Sequence, residues 1–151
     1  MSAPVQRRMR WWDIPAAQQL EQALFDDPWS GEQFLAELAH VPETRWYTVL
    51  TDDDGLLAYA GLRAVDGDAD VQTIGVAPRA QGRGLGGRLL DDLLAQAVIR
   101  GCGQAFLEVR ADNEAALALY GSRGFRRTGV RPGYYGRGLD AIVMRRDTEP
   151  W

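Results

Sequence analysis

The segment that most constrains the fold is a glycine-rich turn, Gln81-Gly82-Arg83-Gly84-Leu85-Gly86-Gly87, set between an apolar run and a long amphipathic stretch. Ala69–Val76 before it reads as a strand, stopped by Pro78. Gly86–Ile99 after it reads as a helix, with Leu85, Leu89, Leu90, Leu93, Leu94 and Ala97 on one stripe. A strand that turns directly into a helix belongs to an α/β fold. It also aims the unpaired N–H groups and positive dipole end of the helix at whatever lies above the turn, an arrangement suited to phosphate oxygens. Arg83 adds a cation there.

The other segments build outward from this unit. Val5–Arg10 is a first strand. Asp13 is a candidate N-cap, with Pro15 in the first turn of a helix running to about Phe25. Ser30 caps a second helix that puts Phe34, Leu35, Leu38 and Ala39 on one face. Trp46–Leu50 and Leu56–Arg63 flank the turn Asp52-Asp53-Asp54-Gly55 as a hairpin, and Asp66-Gly67-Asp68 leads into the strand before the glycine turn. Gly101 and Gly103 end the long helix, and Gln104–Arg110 is the next strand. Asp112 or Asn113 caps a helix through about Ser122, and Phe125–Arg131 and Ala141–Arg145 are the closing strands. The order predicts one domain over residues 1–151: an α/β fold with a mixed seven-stranded sheet, antiparallel in its first half with a parallel central pair, flanked by about four helices.

Composition removes several chemistries. All 17 basic residues are Arg, which excludes Schiff-base and lysine-base mechanisms. One Cys and one His leave too few ligands for a Cys/His zinc site, so no metal is expected. None of the three serines lies in a G-x-S-x-G elbow. Chemistry is left to carboxylates, Tyr, Asn and backbone amides. A net charge of −4 does not favour nucleic acid, and no apolar stretch reaches membrane-span length, so a cytoplasmic, complete chain is expected. The composition does not fix an oligomeric state.

Three readings of the glycine turn stay open. Gly82, Gly84 and Gly87 satisfy G-x-G-x-x-G, with Glu108 about twenty residues on, as in a dinucleotide site. Gln81-x-x-Gly84-x-Gly86 suits the pyrophosphate arm of coenzyme A. The third reading is a turn that binds nothing. In a dinucleotide fold the first glycine ends the strand, whereas Pro78-Arg79-Ala80-Gln81 intervenes here.

Val71–Pro78 followed by Gln81-x-x-Gly84-x-Gly86 resembles motif A of the GNAT superfamily of acetyl-CoA-dependent N-acetyltransferases. The resemblance extends through Leu107-Glu108-Val109-Arg110-Ala111-Asp112-Asn113, Ala116–Phe125, Arg131-Pro132-Gly133-Tyr134-Tyr135 and Asp140–Met144, with Asp27-Pro28-Trp29-Ser30 near the N-terminus. The combination is similar to the RimI branch, the ribosomal-protein alanine N-acetyltransferases. That resemblance implies direct acetyl transfer from acetyl-CoA to a protein N-terminal α-amine, with the alanine N-terminus of small-subunit ribosomal protein eighteen as partner. The segment Gly136-Arg137-Gly138-Leu139 departs from the branch in being short and carrying two glycines.

The resemblance assigns roles that the residues alone leave open. Glu108 interrupts the apolar strand Phe106-Leu107-Glu108-Val109, where a carboxylate is costly without a purpose or a partner. The resemblance makes it the general base; a salt bridge to Arg110, on the same strand face, is the alternative. Tyr120 becomes the acid at the leaving sulfur, against a plain core tyrosine. Asn113 becomes a pantetheine ligand, against a plain N-cap. Ile74, Gly75 and Val76 offer backbone groups to the pantetheine amide and thioester, and a glycine within a strand marks a bulge or a close backbone approach. Gln81, Gly82, Arg83, Gly84, Leu85 and Gly86 hold the pyrophosphate, and Tyr134 and Tyr135 line the acceptor groove. A weak base suffices for an α-amine, whose deprotonation at pH 7 costs about 1.2 kcal/mol against about 4.6 kcal/mol for a lysine.

Overall fold

A computed structural model describes residues 3–148. Seven strands form one sheet in the order β1-β2-β3-β4-β5-β7-β6. They are β1 (Val5–Arg8), β2 (Arg45–Asp52), β3 (Gly55–Val65), β4 (Asp68–Val76), β5 (Gln104–Arg110), β6 (Arg126–Arg131) and β7 (Ala141–Asp147). The helices are α1 (Ile14–Leu24), α2 (Gly31–Leu38), α3 (Leu85–Ile99) and α4 (Glu114–Ser122). β1 to β4 are antiparallel neighbours, and β4 and β5 form the parallel pair, as the element order requires. The chain crosses from β4 to β5 through α3, the long connection a parallel pair needs.

The two faces are covered differently. On one, Leu85, Leu89, Leu90, Leu93 and Ala97 of α3 pack with Leu50, Ala58, Ala60, Leu62, Leu107 and Met144 in the larger core. On the other, Ala17 of α1 and Phe34 of α2 pack on Tyr47, Val49 and Tyr59. β6, at the far edge, is exposed along its whole length. Its arginines blunt an edge that would otherwise invite another strand.

Two termini differ from the sequence reading. β1 stops at Arg8 because the next residues form a 3-10 turn, Trp11–Asp13. Asp13 precedes α1 without capping it. Its carboxylate turns back to accept from both Arg7 guanidinium nitrogens at 2.7 Å and from the Arg10 N–H at 2.8 Å. A forked guanidinium is a stronger partner than the backbone N–H it displaces.

Two irregularities shape the sheet centre. Gly61 pairs with Thr73 and Leu62 with Val71, so Gln72 is an extra residue in β4. The β4–β5 pairing then covers only Asp68, Ala69 and Asp70 against Gln104, Ala105 and Phe106. Beyond these three rungs the strands diverge, leaving the β5-facing edge of β4 through Val76 without a partner strand.

Candidate active site

The divergent strand ends, the glycine turn and Glu108 lie together, because parallel strands present their carboxyl ends on the same side and ligands bind there. Gly82 and Gly84 have φ of +79° and +76°, which a side chain adopts only with strain. Gly84 is the N-cap of α3 and no side chain caps it, so the first N–H groups of the helix stay available. Gln81 donates from its side-chain amide to the Val76 carbonyl at 3.1 Å, fastening the turn to the end of β4. Arg83 is exposed, whereas Leu85 is buried in the core and contributes only backbone to the turn. A Cβ at Gly86 would stand 3.4 Å from Leu119 and 3.5 Å from Val76.

Gly75 has a different reason from the one its place in a strand suggested. A Cβ there would lie 2.5 Å from the Tyr59 ring and hydroxyl. The glycine makes room for a tyrosine of the neighbouring strand. Tyr59 is fully buried, and its hydroxyl donates a short hydrogen bond to Glu21 of α1. The same carboxylate accepts from the Thr73 hydroxyl at 3.0 Å and from the Trp29 N–H at 2.9 Å. Burial first and Glu21 second push the Tyr59 hydroxyl well above the usual tyrosine range. Glu21 therefore ties α1, β3, β4 and the α1–α2 loop in one network. The sequence held a signal for it, since Glu21 lies four residues after the buried Ala17, on the inward face of α1.

Glu108 sits on β5, half-buried, and its partner is Arg131 of β6, whose Nε is 2.9 Å from Oε1. The alternative reading, a salt bridge to Arg110, does not form. Arg110 turns to Asp26 of the α1–α2 loop at 2.6 Å and to Asp112 at 3.0 and 2.9 Å, which raises the guanidinium further above its ordinary value. Ile74 and Val76 are half-buried on the diverging edge of β4.

Tyr120 of α4 is half-buried and packs edge-on against Phe125 at 6.1 Å. Burial, then the neighbouring Tyr135, pushes its hydroxyl up to about 12. That hydroxyl makes no hydrogen bond among the described residues, so it is free for a ligand. Asn113 caps α4, its Oδ1 accepting from the Ala116 N–H at 3.1 Å, and its amide N–H groups remain free. Tyr134 and Tyr135 stand edge to face at 5.0 Å on the β6–β7 turn, 55% and 36% exposed. Burial and then the Glu108 charge raise Tyr135. Glu108, Tyr135 and Tyr120 are thus within electrostatic reach of one another in succession.

No helix of the structure is long and apolar enough to cross a membrane, and no group of three metal-ligating side chains occurs among the described residues. Residues 8–125 match the Acetyltransferase (GNAT) family. The chain is 47% identical over 143 residues to the N-alpha-acetyltransferase RimI of Mycobacterium tuberculosis, covering 90% of this chain and 87% of that protein. It is 40% identical over 135 residues to the [ribosomal protein bS18]-alanine N-acetyltransferase of Salmonella typhimurium, covering 87% and 89%. Against an uncharacterized Mycobacterium leprae protein it is 42% identical and spans 39% of that longer chain. The crystal structure of the Escherichia coli ribosomal-protein-S18-alanine N-acetyltransferase superposes with a TM-score of 0.87 at 33% identity, over 99% of this chain and 96% of that one.

Proposed function

Because the chain belongs to the GNAT acetyltransferase family and to its RimI branch, we propose that it transfers the acetyl group of acetyl-CoA to the N-terminal α-amine of a protein. The acceptor is the alanine N-terminus of small-subunit ribosomal protein eighteen, the substrate for which its relatives are named, and the reaction is cytoplasmic. The observation that carries the chemistry is the opening between β4 and β5, which ends at an uncapped helix start on one side and at Glu108 on the other.

The residues present fit acetyl-CoA as a substrate. The N–H groups at Gly82–Gly86 and the start of α3 suit a diphosphate, and exposed Arg83 adds a charge-assisted contact. The unpaired edge of β4 at Ile74, Gly75 and Val76 offers backbone donors and acceptors to an amide-bearing arm. Gln81 shapes the turn through its bond to Val76, and Asn113 keeps its amide N–H groups for the same arm while its oxygen caps α4.

Glu108 takes the proton from the incoming ammonium, directly or through one water, so that the neutral amine attacks the thioester carbon. A hydroxyl at about 12 keeps its proton at neutral pH, so Tyr120 donates a hydrogen bond to the departing sulfur rather than losing the proton to it. Tyr134 and Tyr135 border the acceptor groove. A peptide panel tests the reading. Peptides with a free α-amine are acetylated, blocked ones are not, and lysine-only peptides react at least about 10-fold more slowly, because a lysine amine is harder to deprotonate. Equal rates on blocked and free peptides would refute it.

A further inference from the structure

We propose that Arg131 keeps the acceptor amine neutral at the site, its guanidinium on Glu108 cancelling the field that would otherwise hold the amine as ammonium. The proposal rests on the α-amine reading above and adds a positioning residue to it.

The register of the sheet explains how Arg131 reaches Glu108. Glu108, Val143 and Gly129 form one row across β5, β7 and β6, and Arg110, Ala141 and Arg131 form the row two residues along. Residues in rows two apart share a face. Gly129 has open space where a Cβ would stand, and Ala141 presents only a methyl group. A long side chain at 131 can therefore lie back across the sheet to the carboxylate. Tyr134 lies under the Arg131 guanidinium, 5.7 Å from its ring centre, and supports that pose.

The other charges around Glu108 leave Arg131 as its cation. Arg110, on the same strand, is committed to Asp26 and Asp112. The β6–β7 turn contributes Tyr135, α4 contributes Tyr120 beyond it, and β7 contributes the uncharged Val143 opposite. The α1–α2 loop contributes Asp26, already engaged by Arg110.

The chemical consequence has a definite sign. A bare carboxylate near an amine stabilises the ammonium and raises its pKa, and the ammonium has no lone pair with which to attack. A guanidinium on that carboxylate weakens the hold. The proton then leaves nitrogen for solvent through a water at a lower pH, the C–N bond forms as the C–S bond breaks, and the sulfur departs as thiolate.

The test is the pH dependence of kcat for a free-α-amine peptide at saturating acetyl-CoA. Wild type is compared with Arg131→Gln, Arg131→Met, Arg131→Lys, Glu108→Gln and the double variant E108Q/R131Q. Losing the cation in R131Q and in R131M raises the midpoint of the kcat profile by about half a pH unit and lowers the peptide KM about threefold, sizes set by a half-exposed pair. R131K restores both, and R131Q adds no shift in the E108Q background. A merely structural role would lower kcat evenly with the midpoint in place. A midpoint equal to or below that of wild type overturns the proposal, as does a shift that persists without Glu108. A wild type that acetylates no free α-amine overturns the activity reading and this proposal with it, whereas an active wild type with an unshifted R131Q overturns the proposal alone.

Discussion

Replacing Gly75 by Ala should unsettle the protein through Tyr59. The new Cβ would stand 2.5 Å from the Tyr59 ring and hydroxyl, about 1 Å inside ordinary contact. The ring has little freedom to retreat. It is fully buried, stands edge-on to Phe34 at 5.8 Å, and has its hydroxyl tied to Glu21. Overpacking of this kind costs about 1–3 kcal/mol. With a urea m-value of roughly 2 kcal/mol/M, the midpoint of unfolding should fall by about 0.5–1.5 M. The assay is urea denaturation of a thermodynamic cycle containing Gly75→Ala, Tyr59→Leu and the double variant. In the Tyr59→Leu background the alanine should cost less than about 0.5 kcal/mol, because the clashing atoms are gone. If Gly75→Ala instead leaves the urea midpoint untouched and weakens acetyl-CoA binding, the glycine serves a ligand and the packing argument is wrong.

Three further outcomes are expected. Glu108→Gln should lower kcat by about 100-fold or more at pH 7, with the acetyl-CoA Kd unchanged by calorimetry, since it removes a base and no cofactor contact. Gly84→Val places a β-branched residue at φ +76° and fills the open space above the turn where a diphosphate would sit, so titration calorimetry should find acetyl-CoA binding lost while circular dichroism stays native. Tyr120→Phe should lower kcat more than KM; because burial holds that hydroxyl at about 12, wild-type kcat should show no fall from tyrosine ionisation up to about pH 10.

Local chemistry made most of the fold legible. Turn residues, helical stripes and the glycine run placed all seven strands and four helices, with shifts of one or two residues at most ends. The uncapped turn at Gly84 and the parallel pair followed from the same signals. Partners set by the sheet were hidden. Arg110 is two residues from Glu108, so strand parity made it the alternative partner, yet Asp112 and Asp26 engage it, the latter from 84 positions off in sequence. Arg131 reaches Glu108 only because β7 lies between β5 and β6, an order no local pattern encodes. Gly75 carried a readable signal, and the structure adds a cause the sequence did not offer. The glycine was visible, but the ring that needs its space belongs to another strand.

The brevity of the β4–β5 ladder reaches beyond catalysis. With three paired residues, the two half-sheets are stitched at one end and unlaced at the other. If the proposed acetyl-CoA site lies in that seam, its occupant would supply rungs the polypeptide lacks, and the chain's endurance against heat or proteolysis would rise with the logarithm of acetyl-donor concentration above its Kd.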